Sequence, residues 1–84
     1  MLALAETLTH ANARSALNAG LARIASGETE VDCSPLRHFD SSALAVLLSW
    51  RRAALARGSA LALRNLPADL ASLAQAYGIE SLVS

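Results

Sequence analysis

The sequence is poor in nearly everything that announces chemistry. Cys33 is its one cysteine, so no intrachain disulfide and no thiolate zinc cluster can form. A small chain without such staples suits a reducing compartment. Lysine is absent: the seven cations are all arginines, and they balance seven carboxylates to a formal net charge of zero. Aromatic residues make up only 4% of the chain. Nucleic-acid binding needs clustered cations and stacking faces, and neither is present. The longest apolar run, Ala43 to Leu48, is far short of the ~20 residues of a spanning helix. The opening MLALAETLTHANA has no basic n-region, and Glu6 interrupts its apolar stretch. These absences predict a cytoplasmic chain with no direct membrane insertion and no nucleic-acid partner.

What is present is alanine and leucine, in a composition 54% hydrophobic and 17% charged over 84 residues. That argues for one packed domain, residues 1–84, over disorder. Chains this short bury only about 60% of their unfolded surface, so a stabilising partner would be felt strongly.

Short extended runs alternate with helical ones. Leu2–Ala5 reads as a strand, and Thr9 offers an N-cap hydroxyl for a helix over His10–Ala25. Ala13, Leu17, Leu21 and Ile24 recur at helical spacing, and Ser26-Gly27 stops the run. Thr29–Cys33 alternates, with Val31 and Cys33 on one face of a strand. Residues 34–38 read as a loop. A second helix is expected over Ser41–Arg57, ending at Gly58 in the C′ position. Ala60–Arg64 gives a third strand. Pro67 near N1 and Asp69 in the first turn open a third helix, whose stripe is Leu70, Leu73 and Tyr77 and which Gly78 closes. Ile79–Val83 reads as a last short element. Strands separated by helices require crossover connections, hence an α/β fold with a largely parallel sheet.

The stretch FDSSALAVLLSWRRAA, Phe39–Ala54, carries the most information. On a helical wheel Ala43, Leu44, Val46, Leu47, Trp50, Ala54 and Leu55 fill a wide apolar arc, with Leu48 at its edge. The remaining arc holds Ser42, Ala45, Ser49, Arg52 and Ala56, small and nearly uncharged where a solvent face would carry Glu and Lys. Such a face suits close approach by another protein, with little side-chain entropy to lose. Drift of exposed helix positions to Ala and Ser gives the same pattern. Trp50 belongs to the apolar arc, as core or as an anchor for a partner. Asp40, Ser41 and Ser42 precede the helix, and one of them is expected to cap it. A helix N-terminus also tolerates an anion, so phosphate on serine would be compatible with the fold while altering the surface.

Other polar residues form no recognisable chemistry. His10 and His38 are not spaced as a metal pair, and no carboxylate cluster joins them. His38, Asp40 and Ser41 are neighbours in sequence, but catalytic geometry is set in space and no oxyanion-hole motif accompanies them. No catalysis, metal or cofactor is expected. Cys33 reads as a structural thiol.

VDCSPLRHFDSSALAVLL resembles the central signature of STAS domains, with Val31-Asp32, Leu36, Phe39, Asp40, Ser41, Ser42 and Leu44 in register. ETLTHANA resembles the family's earlier segment, and ALALR, the helix after Leu66-Pro67 and Gly78-Ile79 follow in family order. The resemblance implies a small, mostly parallel or mixed sheet of about four strands with helices packed on it. Two branches bear on function. In anti-sigma-factor antagonists the first serine after the Asp, Ser41 here, is phosphorylated by a partner kinase. In MlaB-type proteins the same region docks on the ATPase subunit (MlaF-like) of the Mla phospholipid ABC transporter, which maintains outer-membrane lipid asymmetry, and through it joins the permease complex at the inner membrane. The short chain, which would start at the family's second strand and so leave an edge exposed, and Ala43 where many antagonists carry Gly, resemble the second branch. By that resemblance the partner-binding residues are Asp40, Ser41, Ser42, Ala45, Ser49 and Arg52, joined by His38 and Asn12, with Arg14 nearby.

Overall fold

A computed structural model describes residues 1–78. Among them the chain forms β1 (Leu2–Ala3), β2 (Thr7–Leu8), α1 (Ala13–Ala25), β3 (Glu30–Asp32), β4 (His38–Phe39), α2 (Ser41–Ala56), β5 (Ala62–Arg64) and α3 (Ala68–Ala76). β1, β3 and β5 make a parallel sheet in that spatial order, with Leu2 opposite Val31 and Val31 opposite Leu63. Side chains alternate across a strand, so Leu2, Leu4, Val31, Cys33, Leu61 and Leu63 share the face toward the helices. Val31 and Cys33 are completely buried there. The opposite face is polar, where Arg64 bridges to Glu30 at 3.0 Å.

A second, two-stranded parallel sheet pairs β2 with β4, Thr7 with His38 and Leu8 with Phe39. The sequence predicts a loop over 34–38, where the structure has β4 at His38–Phe39. Strands of two residues are too short to display a period of two, which is why periodicity missed them. This small sheet matters for the site, because it brings the turn before α1 beside the start of α2.

The helices depart from expectation chiefly at their ends. Thr9 does not cap α1, which begins at Ala13 with Asn12 in the cap position and no side-chain cap bond. Instead the Thr9 hydroxyl accepts from Ala11 N (3.3 Å), and Asn12 is folded back: its Oδ1 accepts from Thr9 N (2.9 Å) and its Nδ2 donates to Thr7 O (2.8 Å). Local side-chain bonds of this kind compete with the helix and delay its first turn. At the far end of α2, Ser59 N donates to Ala54 O and Gly58 N to Leu55 O, both at 2.9 Å. That is a Schellman pair, and it places Gly58 at φ +76°, where glycine is unstrained. Pro67 is the cap of α3 rather than its first residue.

The core lies between the helices and the larger sheet. Trp50 is 2% exposed, so it is a core residue. Its indole lies against the backbone of α1 at Gly20, where a Cβ would overlap the ring, and its Nε1 donates to Leu17 O at 3.0 Å. Leu70 and Ala74 seat α3. Two residues assigned to apolar stripes are outside the core: Leu55 is 56% exposed and Tyr77 61%. Leu55 lies about 100° around α2 from buried Ala54, past the edge of the packed arc. Tyr77 is the C-cap of α3, beyond its last helical turn. The element expected over Ile79–Val83 lies outside the described residues.

Candidate functional site

Asp40 answers the question of which polar residue caps α2. Its backbone is extended (φ −129°, ψ −168°), and its Oδ1 accepts from Ser42 N at 2.8 Å. Its second oxygen is engaged as well. Oδ2 accepts from His10 N at 3.1 Å, and His10 Nδ1 lies 3.1 Å from the same atom. One carboxylate therefore joins the β2–α1 turn to the first turn of α2. Bonds from the His10 backbone and imidazole, then from Ser42, hold its pKa down from 3.8 to about 2. With the folded-state pKa depressed, the charged cap stabilises the fold above the unfolded value and is lost as pH falls from about 4 to about 2. Asparagine caps as well as aspartate but does not titrate. Asp40→Asn should therefore flatten the acid limb of a thermal-stability profile over that window while α2 stays helical by circular dichroism. An unchanged acid limb would assign the pH dependence to other carboxylates.

With the cap supplied by Asp40, whose carboxylate the Ser42 side chain also bonds, the Ser41 hydroxyl has no hydrogen-bond partner among the described residues. Ser41 is exposed and Ser42 half-buried. Ser41 opens an apolar groove of about 370 Å³ whose other walls are Leu44, Ala45, Leu48 and Tyr77. His38 sits exposed on β4, and among the described residues no hydrogen bond joins it to Asp40 or Ser41. Among the described residues no three His, Cys, Asp or Glu side chains converge on a metal-sized site. No helix among them is long and apolar enough to cross a membrane.

The family model described as "Mlab, STAS domain" matches residues 1–84. The chain belongs to the STAS family. No curated protein matches it. The parallel sheets and three helices are consistent with that assignment.

Within this STAS domain the residues singled out from sequence fall into two groups. Ser41, Ala45 and Arg52 are exposed along one side of α2 beside the groove. Ser42 and Ser49 flank that side, both half-buried, and the Ser49 hydroxyl is turned inward to donate to Ala45 O at 2.9 Å. Asn12 is occupied by the Thr7 and Thr9 backbone, so it shapes the neighbouring turn. Sequence reasoning missed Leu55 and Tyr77 as surface residues, whereas Leu48, expected at the edge of the apolar arc, is half-buried. The 4-3-4-3 spacing of Ser41, Ala45, Leu48, Arg52 and Leu55 was the available signal. It also missed His10 as the partner of Asp40, for which no local signal exists across thirty positions.

The STAS core also fixes the state of Cys33. Burial, reinforced by the adjacent Asp32 charge, pushes its thiol up to about 11. At neutral pH it should resist Ellman's reagent in the folded protein and react promptly in denaturant. Fast labelling without denaturant would mean that β3 opens locally.

Proposed function

We propose that this STAS protein is a non-catalytic subunit that binds and supports the ATPase of an ABC-type phospholipid transport system, one that maintains outer-membrane lipid asymmetry. The observation that carries the reading is the start of α2. Asp40 alone caps the helix, which leaves Ser41 exposed at the mouth of an apolar groove in a chain matched by the Mlab, STAS domain model. The contact is formed by Asp40, Ser41, Ser42, Ala45, Ser49 and Arg52, with His38 and Asn12 at its margin. A small face pre-set by hydrogen bonds loses little entropy on docking. The protein works in the cytoplasm, held at the inner membrane through the transporter.

Affinity purification of the tagged chain from its own membranes, with mass spectrometry of its partners and of Ser41, tests this. Recovery of an ABC ATPase and permease with unmodified Ser41 is the expected result. Recovery of a small kinase with phosphate on Ser41 would instead make the protein a phosphorylation-controlled anti-sigma-factor antagonist.

A further inference from the structure

His10 stands in the turn between β2 and α1, thirty positions from Asp40, and meets it through both backbone and ring. Its backbone N donates to Asp40 Oδ2 at 3.1 Å, and its Nδ1 lies 3.1 Å from the same atom. The side chain is otherwise open, 86% exposed, so it adds nothing to the core. The direction of the ring's bond follows from its acceptor. Asp40, held down to a pKa of about 2, is ionised at neutral pH, and a carboxylate can only accept. Nδ1 therefore carries the proton, and in the neutral ring Nε2 carries none. The other carboxylate oxygen, Oδ1, caps α2 through Ser42 N at 2.8 Å. Both oxygens belong to one planar group, so a donor that fixes Oδ2 also fixes the direction of Oδ1.

We infer that His10 is a positioning residue for the start of α2. By donating from Nδ1 it locks the plane of the Asp40 carboxylate, and with it the first turn that presents Ser41, against the β2–α1 turn. The consequence for binding rests on the docking reading above: the face is set before a partner arrives, so less freedom is lost on contact. The competing account is an ordinary exposed pair. Such pairs contribute little to stability, and removing one would alter neither the local geometry nor the affinity.

The test compares the full wild-type chain with His10→Ala and His10→Asn. Alanine keeps the backbone bond and removes the ring. The Asn amide nitrogen lies as many bonds from Cβ as His Nδ1 and replaces that donor. Nitrogen-15 spectra of the wild-type ring at mildly alkaline pH, where imidazole is neutral, should show the proton on Nδ1. In His10→Ala the Ser42 amide resonance should move and its hydrogen exchange should quicken, and His10→Asn should return both toward wild type. Affinity for the purified ATPase subunit should fall about fivefold in His10→Ala, the effect of freeing one side chain. The melting temperature should stay nearly constant, and His10→Asn should recover the affinity. A proton on Nε2, a Ser42 amide indifferent to His10→Ala, or no recovery in His10→Asn would overturn the inference. The two readings fail separately. If the wild-type chain does not bind the ATPase, the transporter assignment falls, while the ring proton and the Ser42 amide still decide the role of His10. An ATPase that binds His10→Ala as tightly as wild type does the reverse.

Discussion

Trp50→Ala should destabilise the fold by about 3–5 kcal/mol, the usual range for removing a large buried aromatic. A domain of this size has roughly 5–15 kcal/mol of stability in total, so the variant should stand near its unfolding threshold at room temperature. Urea denaturation followed by far-ultraviolet circular dichroism measures it. The loss is large because Trp50 does two things at once: it fills the space between α1 and α2, and it donates its Nε1 proton to Leu17 O, which the truncation would leave without that bond. The companion variant is Gly20→Ala. A methyl group there meets the indole ring, and relief requires the two helix backbones to separate, at about 1–3 kcal/mol. The effects should couple, so that Gly20→Ala is nearly harmless once Trp50 is alanine. An equal cost in both backgrounds would show that Gly20 is required for some other reason.

Under the proposed function, Ser41→Arg is expected to weaken docking on the ATPase by about a hundredfold, within the range of an interface hot spot, without changing the melting temperature appreciably. Ser41 is exposed, its hydroxyl does not cap α2, and no described residue bonds it, so the fold does not depend on its identity. Arginine at this place would fill the mouth of the groove and bring a cation into a face that must lose water on binding. Ser41→Asp should act in the same direction by adding an anion beside Asp40. Isothermal titration of each variant against the ATPase, with a thermal melt of each, separates the two effects. Wild-type affinity in Ser41→Arg would remove the start of α2 from the interface.

The helices and central strands were legible because their signals are local and repeated. The stripe of α1, the apolar arc of α2, the alternation around Val31 and the stop at Gly58 each rest on several residues that agree. The misses concern features set by single long-range contacts. β2 and β4 exist because their backbones pair with each other, and two residues apiece carry no pattern. Thr9 looked like a helix cap, and the competing bonds of Asn12 to Thr7 and Thr9 decided otherwise. Leu55 and Tyr77 satisfy a helical stripe on paper but project where no described element lies. Gly20 lies inside α1, where glycine weakens a helix by roughly 1 kcal/mol, and the sequence reading passes over it. Its reason, the indole of Trp50, appears only in three dimensions. At the candidate site Asp40 was placed correctly among the capping candidates, whereas His10 entered only through the fold.

The placement of Trp50 has an optical consequence. It is the chain's single tryptophan, and one tyrosine and one phenylalanine are the only other aromatics. Arg52 is two residues further along α2, about 200° around the helix axis, so the indole and the exposed side of α2 lie on opposite sides. Intrinsic emission excited at the red edge of the indole band thus reports one location, the α1–α2 junction. It should shift when the core opens and stay still when the outer side of α2 is covered, so loss of the fold and occupancy of the surface can be followed separately without a label.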